Sequence, residues 1–361
     1  MNDLYIGFMS GTSCDGVDAS LIETDGKDFF KPIHNIAITY DLETRKELQE
    51  LLIHSGPFLK IEKKITEFHI QAANKLLSKS GYSANEIKAV GFHGQTVYHN
   101  PNEGLTWQIG NPHMLASSIG IDVIHDFRRR DVAYGGQGAP LVPIFHKLLA
   151  KNFATPSVIV NIGGVANLTY VNQEDLIAFD TGPGNALIDD TMIKYYGVPY
   201  DNKGKIASTG KVDMSFVNKA LAGKYYNLSY PKSLDRNSFI SLLEELAGKN
   251  PEDIVASLTY LTPAAICIAI CLLPSMPKQI FVCGGGAKNI QMLQWLKQLL
   301  QEKNIDCGLF DIAQLPNMNA DYVESQAFAY LAARFCNNLP SAFPSTTGAS
   351  TSSICGCLVK P

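Results

Sequence analysis

Near its start the chain reads Tyr5-Ile-Gly-Phe-Met-Ser-Gly-Thr-Ser-Cys-Asp-Gly-Val-Asp18, in which a loop of glycine and hydroxyl residues follows an apolar run. The alternating apolar residues from Val17 to Thr24 come next and predict a second strand. Two strands joined by such a loop form a β-hairpin. Small residues let its backbone approach a phosphate closely, and consecutive N–H groups make an anion-binding concavity. The sequence therefore predicts a phosphate-binding hairpin here.

The same pattern returns at Val158-Ile-Val-Asn-Ile-Gly-Gly-Val-Ala-Asn-Leu-Thr-Tyr170, where the pair Ile6-Gly7 recurs as Ile162-Gly163. Two such hairpins predict two related halves that face each other across a phosphate. A length of 361 residues also exceeds what one hydrophobic core usually covers, which favours two domains. Strand patterns alternate with helix patterns along the chain, so the predicted class is α/β.

Composition excludes several classes of protein. Hydrophobic residues make up 46% of the chain and charged residues 18%, which is typical of a compact protein with a large core. The net charge of −4 argues against nucleic acid or an anionic membrane as a partner. Eight cysteines without a C-x-x-C pair fit reduced thiols in the cytoplasm, not a disulfide framework or a metal site.

No membrane segment or secretory signal is expected. The N-terminus lacks a basic region followed by an apolar run. The apolar run from Ala264 to Leu273 is about half the length of a spanning helix, which predicts a buried helix. Thr262 and Pro263 are typical of an N-cap and a first turn, so we expect that helix to begin there.

A third glycine turn, 284–286, follows the apolar strand pattern of 278–283. Three such turns at strand ends favour a bound nucleotide. The sequence contains neither G-x-x-x-x-G-K-[ST] nor a G-x-G-x-x-G between a strand and a helix, which argues against a P-loop or Rossmann site. The remaining solution is two hairpins that hold the β- and γ-phosphates, with a glycine turn beside the adenosine. That is the plan of the actin, hexokinase and chaperone ATPase superfamily.

The stretch Phe179-Asp-Thr-Gly-Pro-Gly-Asn185 contains the predicted chemical centre. Asp180 ends an apolar stretch and precedes a glycine-rich turn. A carboxylate fixed there, beside the γ-phosphate, is placed to accept a proton from an attacking hydroxyl or water, which contributes roughly 10²–10⁴-fold in rate. The alternative, weighted equally, is that Asp180 caps the helix that starts near Asn185 or forms a turn. Asp15 and Asp18 are candidates for organising Mg²⁺ through water, or they are turn and strand-edge residues.

Two further stretches are unusually polar. His93, Gln95 and Thr96 follow a strand end, where donors converge on a ligand or form a structural turn. Three arginines in Asp126-Phe-Arg-Arg-Arg-Asp-Val132 form either a solvated face or a fork for a carboxylate or phosphate. Asp321 and Glu324 fit an N-cap and N3 pair.

These motifs together resemble the anhydro-N-acetylmuramic acid kinase family nearly from end to end. The matching segments are Gly7-Phe-Met-Ser-Gly-Thr-Ser-Cys-Asp-Gly16, Phe92-His-Gly-Gln-Thr96, Gln108-Ile-Gly-Asn-Pro112, Asp126-Phe-Arg-Arg-Arg-Asp-Val-Ala133, Gly135-Gly-Gln-Gly-Ala-Pro-Leu-Val-Pro143, Asn161-Ile-Gly-Gly164, Phe179-Asp-Thr-Gly-Pro-Gly-Asn185 and Val282-Cys-Gly-Gly-Gly-Ala287. Cys14 departs from the family's usual Leu, and Lys232-Ser-Leu-Asp-Arg236 departs from its usual K-S-T-G-R.

The resemblance implies an actin-like, duplicated RNase H-like fold with a cleft between two lobes, and a cytoplasmic homodimer that uses ATP with Mg²⁺. The expected first lobe spans 1–130 and the second 131–344, with the tail 345–361 packing back on the first. In the implied reaction, water attacks the anomeric carbon of 1,6-anhydro-N-acetylmuramic acid. The bridge opens, and its 6-oxygen takes the γ-phosphoryl group to give N-acetylmuramate 6-phosphate, in peptidoglycan recycling.

The resemblance also assigns roles to residues of this chain. Asp180 corresponds to the base that activates water, and Glu324 to an acidic position near the site. Thr96 and Arg130 fall in the motifs that hold the sugar and its lactyl carboxylate, beside Arg129, His93 and Gln95. The nucleotide is expected to contact Gly11, Thr12, Ser13, Cys14, Asp15, Gly16, Val17, Asp18, Gly163, Gly164, Asn167, Gly184, Gly284, Gly285 and Gly286.

Two other functions fit parts of the pattern. Another acid-sugar kinase on the same scaffold would use Asp180 to deprotonate a substrate hydroxyl. A nucleotide-switched binding module would show slow ATP turnover that sugar does not affect.

Overall fold

The computed structural model describes residues 3–11, 13–53, 58–173, 175–234, 236–315 and 318–361. The chain forms two compact units, one of Met1–Leu149 with Tyr322–Pro361 and one of Ala150–Asp321. The division differs from the expected boundary after residue 130. Residues 131–149 belong to the first unit because Asp131 bonds to the C-terminal tail and Phe145 packs against Phe30 and Tyr330.

The first unit contains one mixed sheet and several helices. Its strands, in the described residues, are β1 (Asp3–Ser10), β2 (Gly16–Thr24), β3 (Phe30–Thr39), β4 (Ile87–Asn100), β5 (Leu105–Ile109), β6 (Val123–His125) and β12 (Cys357–Val359). Its helices are α1 (Leu42–Ile53), α2 (Phe58–Ser80), α3 (Pro112–Ile119), α4 (Arg129–Ala133), α5 (Pro143–Leu149), α11 (Val323–Cys336) and α12 (Pro344–Thr347).

The second unit contains a smaller sheet. Its described strands are β7 (Ser157–Ile162), β8 (Val165–Asn172), β9 (Asp175–Pro183), β10 (Gln279–Cys283) and β11 (Gly308–Asp311). Its described helices are α6 (Ala186–Tyr196), α7 (Met214–Leu221), α8 (Ser241–Glu245), α9 (Pro251–Cys271) and α10 (Ile290–Glu302).

The two sheets share one strand order. The first runs β12-β6-β4-β1-β2-β3, with β5 paired to β4, and the second runs β11-β10-β7-β8-β9. In each, three antiparallel strands come first in the chain, and the next two main strands add in parallel on the other side of the first strand. This repeated order is the duplicated RNase H-like fold of the actin and hexokinase superfamily, as the sequence predicted.

Glycine lets α11 lie directly on the first sheet. Gly7 of β1 pairs with Gly91 of β4. A Cβ atom on Gly7 would overlap the Ser325 carbonyl oxygen of α11, and one on Gly91 would overlap the Phe328 carbonyl oxygen. Gly7 therefore serves helix packing in mid-strand, whereas Gly163 lies in a hairpin turn, so the recurrence of Ile6-Gly7 as Ile162-Gly163 is not a structural equivalence.

The apolar helix α9 begins earlier than the sequence predicted. It starts at Pro251 and carries Pro263 in its interior, so the expected start at Thr262 is wrong. The hydroxyl of Thr262 instead donates to the Pro183 carbonyl of β9, 2.9 Å away. This helix is long and apolar enough to cross a membrane, but most of its side chains are buried within the second unit, as in a core helix.

Substitution of Gly7 tests the close approach of α11. Gly7→Ala should lower the free energy of unfolding by about 3 kcal/mol or more, because the new methyl group meets backbone that cannot rotate away. Gly81→Ala is the control, since Gly81 has a φ of +78° but no atom within 4 Å of the added Cβ. It should cost only about 1–2 kcal/mol for backbone strain. Urea unfolding followed by Trp107 fluorescence, in a Trp295→Phe background, measures both; equal losses would contradict the packing role.

Three buried histidines and the half-buried His99 make the first unit sensitive to acid. Burial lowers the pKa of His69 and of His99 to about 4 and that of His146 to about 3, and burial beside Arg128 holds that of His93 well below its usual range. Between pH 6.5 and about 4 the unfolded chain therefore binds protons that the folded chain does not. Stability must fall as the pH falls through that window.

His69→Phe tests this linkage while keeping the edge contacts of the ring with Phe8 and Phe92. Each such histidine contributes up to about 1.4 kcal/mol per pH unit, so the variant should reduce the pH slope of the unfolding free energy by about one proton. Urea melts between pH 5 and 7 give the slope. An unchanged pH slope for His69→Phe would refute the assignment.

Candidate active site

A row of polar side chains crosses the second sheet beside its hairpin turn. Asn161 of β7 pairs with Asn167 of β8, and Asn167 pairs with Asp180 of β9. Residues directly opposite on antiparallel strands share a face and lie about 5 Å apart. On the other side, Cys283 of β10 pairs with Asn161, and its Sγ lies 3.8 Å from the Asn161 Oδ1. Sequence reasoning found Asn167 and Asp180 but did not assign Asn161.

Asp180 is held by a loop from later in the chain. Its side chain is buried, with 7% exposed, and its Oδ2 accepts a hydrogen bond from the Leu234 N–H at 2.7 Å. The Asp180 N–H donates to the Lys232 carbonyl at 3.0 Å, and the Tyr225 hydroxyl donates to the Asp180 carbonyl at 2.7 Å. Helix α6 begins at Ala186 with Asn185 as its N-cap. The alternative role of Asp180 as a helix cap is therefore wrong.

Lys232 anchors that loop from inside the protein. Its Nζ donates to the carbonyls of Tyr225, Tyr226 and Leu228 at 3.0, 3.4 and 3.0 Å. The ammonium also lies 4.7 Å from the ring centroid of Tyr225, and burial lowers the pKa of Lys232. The segment that departs from the family pattern thus begins with the residue that fixes the backbone around Asp180. A lysine before a polar turn gave no sequence signal of this role.

Three glycine-containing turns of the second unit contact one another: the hairpin turn 163–164, the turn at Gly184 after β9, and the turn 284–286 after β10. The N–H groups of Gly184 and Asn185 donate to the carbonyls of Gly164 and Gly163 at 3.0 and 2.7 Å. A Cβ on Gly184 would overlap the Gly163 carbonyl oxygen. Side chains on the third turn would collide as well, with Asn161 Oδ1 at Gly284 and with Ile162 Cγ2 at Gly286. Backbone without side chains from three strand ends is therefore in contact here. At Gly285, by contrast, an added Cβ would make only an ordinary van der Waals contact.

The first hairpin turn is tightly bonded within itself. Ser13 Oγ donates to Asp15 Oδ1 at 2.6 Å, and the Cys14 N–H donates to the Gly11 carbonyl at 3.2 Å. Cys14 has a φ of +52° and a fully buried side chain. Thr12 lies outside the described residues.

The residues after this turn belong to strand β2. The side chain of Val17 is in the core, so it can offer a ligand only its backbone. Gly16 lies against the backbone of β3, where a Cβ would overlap the Ile38 carbonyl oxygen. Asp18 pairs with Met9 and Ala37 on the neighbouring strands. Asp15 is exposed, and Asp18 is half-buried.

Gln95 joins the first hairpin to strand β4. Its Oε1 accepts a hydrogen bond from Ser10 Oγ at 2.6 Å, and its Nε2 donates to the Gly11 carbonyl at 3.1 Å. Ser10 Oγ also lies 2.6 Å from the Tyr40 hydroxyl. Only 1% of Gln95 is exposed. The amide group thus holds the turn, which is the structural one of the two roles that the sequence left open for this stretch.

His93 is likewise engaged within the protein. Its Nδ1 hydrogen-bonds the Gly94 carbonyl at 2.7 Å, and its Nε2 accepts from Arg128 Nε at 3.0 Å. Arg128 Nη1 donates to the Gly138 carbonyl at 2.6 Å. Burial and the Arg128 charge lower the pKa of His93, so the ring is neutral. His93 and Arg128 therefore support the loop after α4.

The other predicted sugar-side residues are more accessible. Thr96 is half-buried, and its Oγ1 accepts from Gln108 Nε2 at 3.2 Å. Arg129 and Arg130 are exposed. Arg129 pairs with Asp126 at 3.6 Å, while Arg130 Nη1 donates to the Ile354 carbonyl at 2.7 Å. Of the three arginines, Arg130 is thus the exposed one that the C-terminal tail orients.

Glu324 lies in the first turn of α11 and is half-buried. The N-cap of this helix is Tyr322, not Asp321. Asp321 bonds through its Oδ2 to Lys288 Nζ at 2.6 Å. The predicted capping pair of Asp321 and Glu324 is therefore wrong.

Comparisons with known proteins agree with these motifs. A family model described as anhydro-N-acetylmuramic acid kinase matches residues 3–361. Relatives carrying that name are 43% identical over 371 residues in Nitrobacter winogradskyi and 40% identical over 369 residues in Bradyrhizobium diazoefficiens. Each alignment covers 99% of this chain and 99% of the relative.

Among solved structures, the chain is similar to component A of (R)-2-hydroxyglutaryl-CoA dehydratase from Acidaminococcus fermentans. The TM-score is 0.49 at 13% identity, and the alignment covers 92% of this chain and 98% of that one. The strand order of the two sheets, and not this likeness, identifies the fold.

Replacement of Gln95 tests its hold on the first hairpin turn. Gln95→Leu should lower the free energy of unfolding by about 2 kcal/mol, because Ser10 and the Gly11 carbonyl lose their partner in a buried place. Gln108→Leu on the neighbouring strand is the matched control and should cost less than about 1 kcal/mol, since Gln108 is only half-buried. Urea unfolding compares the two, and similar costs would argue against a special role for Gln95.

Proposed function

The chain belongs to the anhydro-N-acetylmuramic acid kinase family, and we propose that Asp180 is the general base of its reaction. It is an ATP-dependent kinase of cell-wall recycling. It opens 1,6-anhydro-N-acetylmuramic acid with water and phosphorylates the 6-oxygen, giving N-acetylmuramate 6-phosphate and ADP. The single observation that carries the proposal for Asp180 is a buried carboxylate fixed by the Leu234 N–H in the polar row beside the second hairpin turn.

In the proposed mechanism, Asp180 takes a proton from the water that attacks the anomeric carbon. The bond from that carbon to the bridge oxygen breaks, and the oxygen, now on C6 alone, forms the new bond to the γ-phosphorus while ADP leaves. Phosphoryl transfer depends mainly on position and neutralised charge. Asp180 meets the first requirement, because hydrogen bonds with the Lys232 carbonyl, the Leu234 N–H and the Tyr225 hydroxyl hold it in place. Glu324 is proposed as a second acidic group near the reacting atoms.

The glycine turns fit ATP. Gly163, Gly164, Gly184 and 284–286 present backbone without side chains at neighbouring strand ends, and 11–18 forms the first turn of the same kind. When bound with ATP, Mg²⁺ neutralises phosphate charge. It usually keeps several waters and one or two carboxylates, which Asp15 and Asp18 can supply. Among the described residues no cluster of three or more His, Cys, Asp or Glu side chains forms a cage for a metal, which suits such a hydrated ion.

We assign sugar binding to Thr96 and Arg130, with Arg129 beside them. The lactyl group of the substrate is a carboxylate, and a guanidinium binds carboxylates with two parallel hydrogen bonds. The sequence grouped His93 and Gln95 with these sugar-binding residues. Their proposed role is indirect: His93 fixes Arg128, and Gln95 fixes the first hairpin turn.

We also propose that the enzyme is a cytoplasmic homodimer. All eight cysteines are free thiols, which suits a reducing compartment. Light scattering on the purified protein should give twice the chain mass of 39.4 kDa, and a monomer would refute the dimer.

Asp180→Asn should reduce kcat by roughly 10²–10⁴-fold, because an amide cannot take the proton from water. Its Oδ1 can still accept the Leu234 N–H, so the fold and the ATP KM should hold. Asp175→Asn, at the exposed start of the same strand, is the matched control and should keep full activity. A coupled ADP-release assay on the anhydro sugar measures both.

Incubation of the parent enzyme in ¹⁸O-water then separates ring-opening hydrolysis from simple hydroxyl phosphorylation. Label in the sugar product is expected. Unlabelled product would mean that Asp180 deprotonates a substrate hydroxyl instead.

Arg130→Ala should raise the KM for the sugar about 10- to 100-fold, since it removes a charged hydrogen-bond donor to the carboxylate. The ATP KM should change less than about twofold. Arg129→Ala serves as control and should act more weakly, because that arginine pairs with Asp126. Equal effects of Arg130→Ala on both KM values, in the same assay, would count against carboxylate recognition.

A further inference from the structure

The segment that carries Arg130 cannot hold itself in place. Helix α4 has five residues, a single turn, and short isolated helices are not stable in water. The loop that follows contains Gly135, Gly136 and Gly138, which add backbone freedom. Some other part of the chain must therefore fix the direction of the Arg130 side chain.

The C-terminal segment 344–359, named here the C-terminal strap, supplies that support at several points. Thr347 Oγ1 donates to Asp131 Oδ1 at 2.7 Å, and the Thr347 carbonyl accepts from the Gln137 N–H at 2.7 Å. The Ser350 N–H donates to the Tyr134 carbonyl at 2.9 Å. Strand β12, at the end of the strap, pairs with β6, which runs into the arginine segment.

Asp131 is the centre of this support. It follows Arg130 directly in α4 and is fully buried. Its Oδ2 accepts from the Gly138 N–H at 2.7 Å, so the carboxylate joins the helix, the glycine loop and Thr347. A Cβ on Gly136 would overlap the same carboxylate, which leaves the loop little room to shift.

The strap also touches Arg130 itself. The Ile354 carbonyl accepts from Nη1 of Arg130 at 2.7 Å. A guanidinium has five N–H groups, so this bond uses one and leaves others for a carboxylate. An exposed arginine loses about 2 kcal/mol of rotamer entropy when a ligand orders it, and a side chain that is already oriented loses less on binding.

We propose that Thr347 is a positioning residue for Arg130, acting through Asp131, and that the C-terminal strap is thereby part of the sugar-carboxylate site. The proposal rests on the proposed role of Arg130. Thr347 itself touches no ligand. It holds the helix turn that aims Arg130, while Ile354 holds the guanidinium.

The test compares Thr347→Val with Thr346→Val. Both threonines are buried. Among the described residues, Thr346 Oγ1 bonds only to the nearby Phe343 carbonyl at 3.1 Å, whereas Thr347 Oγ1 reaches Asp131. Thr347→Val should raise the sugar KM about 5- to 10-fold with kcat and the ATP KM within about twofold. Thr346→Val should leave all three within about twofold, and Thr347→Ser, which keeps the hydroxyl, should restore the sugar KM.

A double-mutant cycle shows whether the effect passes through Arg130. In the Arg130→Ala background, Thr347→Val should have no further effect on the sugar KM, because coupled residues are not additive. KM reports the folded fraction only, so a lower yield of one variant does not obscure the result. Effects that multiply, or a Thr347→Val variant that behaves as Thr346→Val, would overturn the inference.

The proposed function can fail separately. If Arg130→Ala alone leaves the sugar KM unchanged, the assignment of Arg130 is wrong, and the inference falls with it. If Arg130→Ala raises the sugar KM but Thr347→Val does not, only the inference about the strap is lost.

Discussion

Direct contact between backbone groups, with no side chain in the way, is the constraint on which both units depend. In the second unit the hairpin turn, the β9–α6 turn and the turn after β10 come so close that a methyl group on Gly184 or Gly284 would overlap its neighbour. In the first unit, Gly7 and Gly91 give α11 the same access to the sheet. In the second unit, backbone without side chains is also what the proposed phosphate site requires, so packing and the proposed ligand binding favour the same residue type there.

The local parts of this architecture could be predicted from the sequence. Both hairpins and the third glycine turn depend on residues close in the chain. Asp180 was expected to end a strand before a glycine-rich turn, but it lies inside β9, which continues to Pro183. The full division into units could not be predicted: the resemblance implies that the tail returns to the first unit, but nothing in the sequence shows that α11 does so as well. Their partners are far away in sequence, as the pairing of β12 with β6 shows. Patterns of hydrophobicity predict elements, but not which distant element covers which face.

For the side chains of the site, too, the sequence shows local features but not distant partners. His93 and Gln95 stood out as polar residues expected just past a strand end, but that position is wrong, because β4 continues through them to Asn100. Their partners, Arg128 and Ser10, lie 35 and 85 positions away, so sequence alone could not show that their polar atoms are occupied within the protein. Pro263 misled for a related reason. A proline marks a helix start in an exposed helix, but in α9 the packing on all sides stabilises a helix that continues through it.

The buried carboxylate of Asp131 shows why such a network persists. Burial raises its pKa, so the folded chain holds the proton more tightly than the unfolded chain does. Stability therefore falls as the pH rises from about 3.8 through that raised pKa, and above it the ionised group costs folding free energy. Three groups partly offset this cost: the Thr347 hydroxyl, the Gly138 N–H and the Arg128 charge, each of which lowers the pKa. An apolar residue would be cheaper for the fold but could not accept these two hydrogen bonds. The buried carboxyl is thus explained by the position it gives to the loop and to Arg130 beside it, and not by stability.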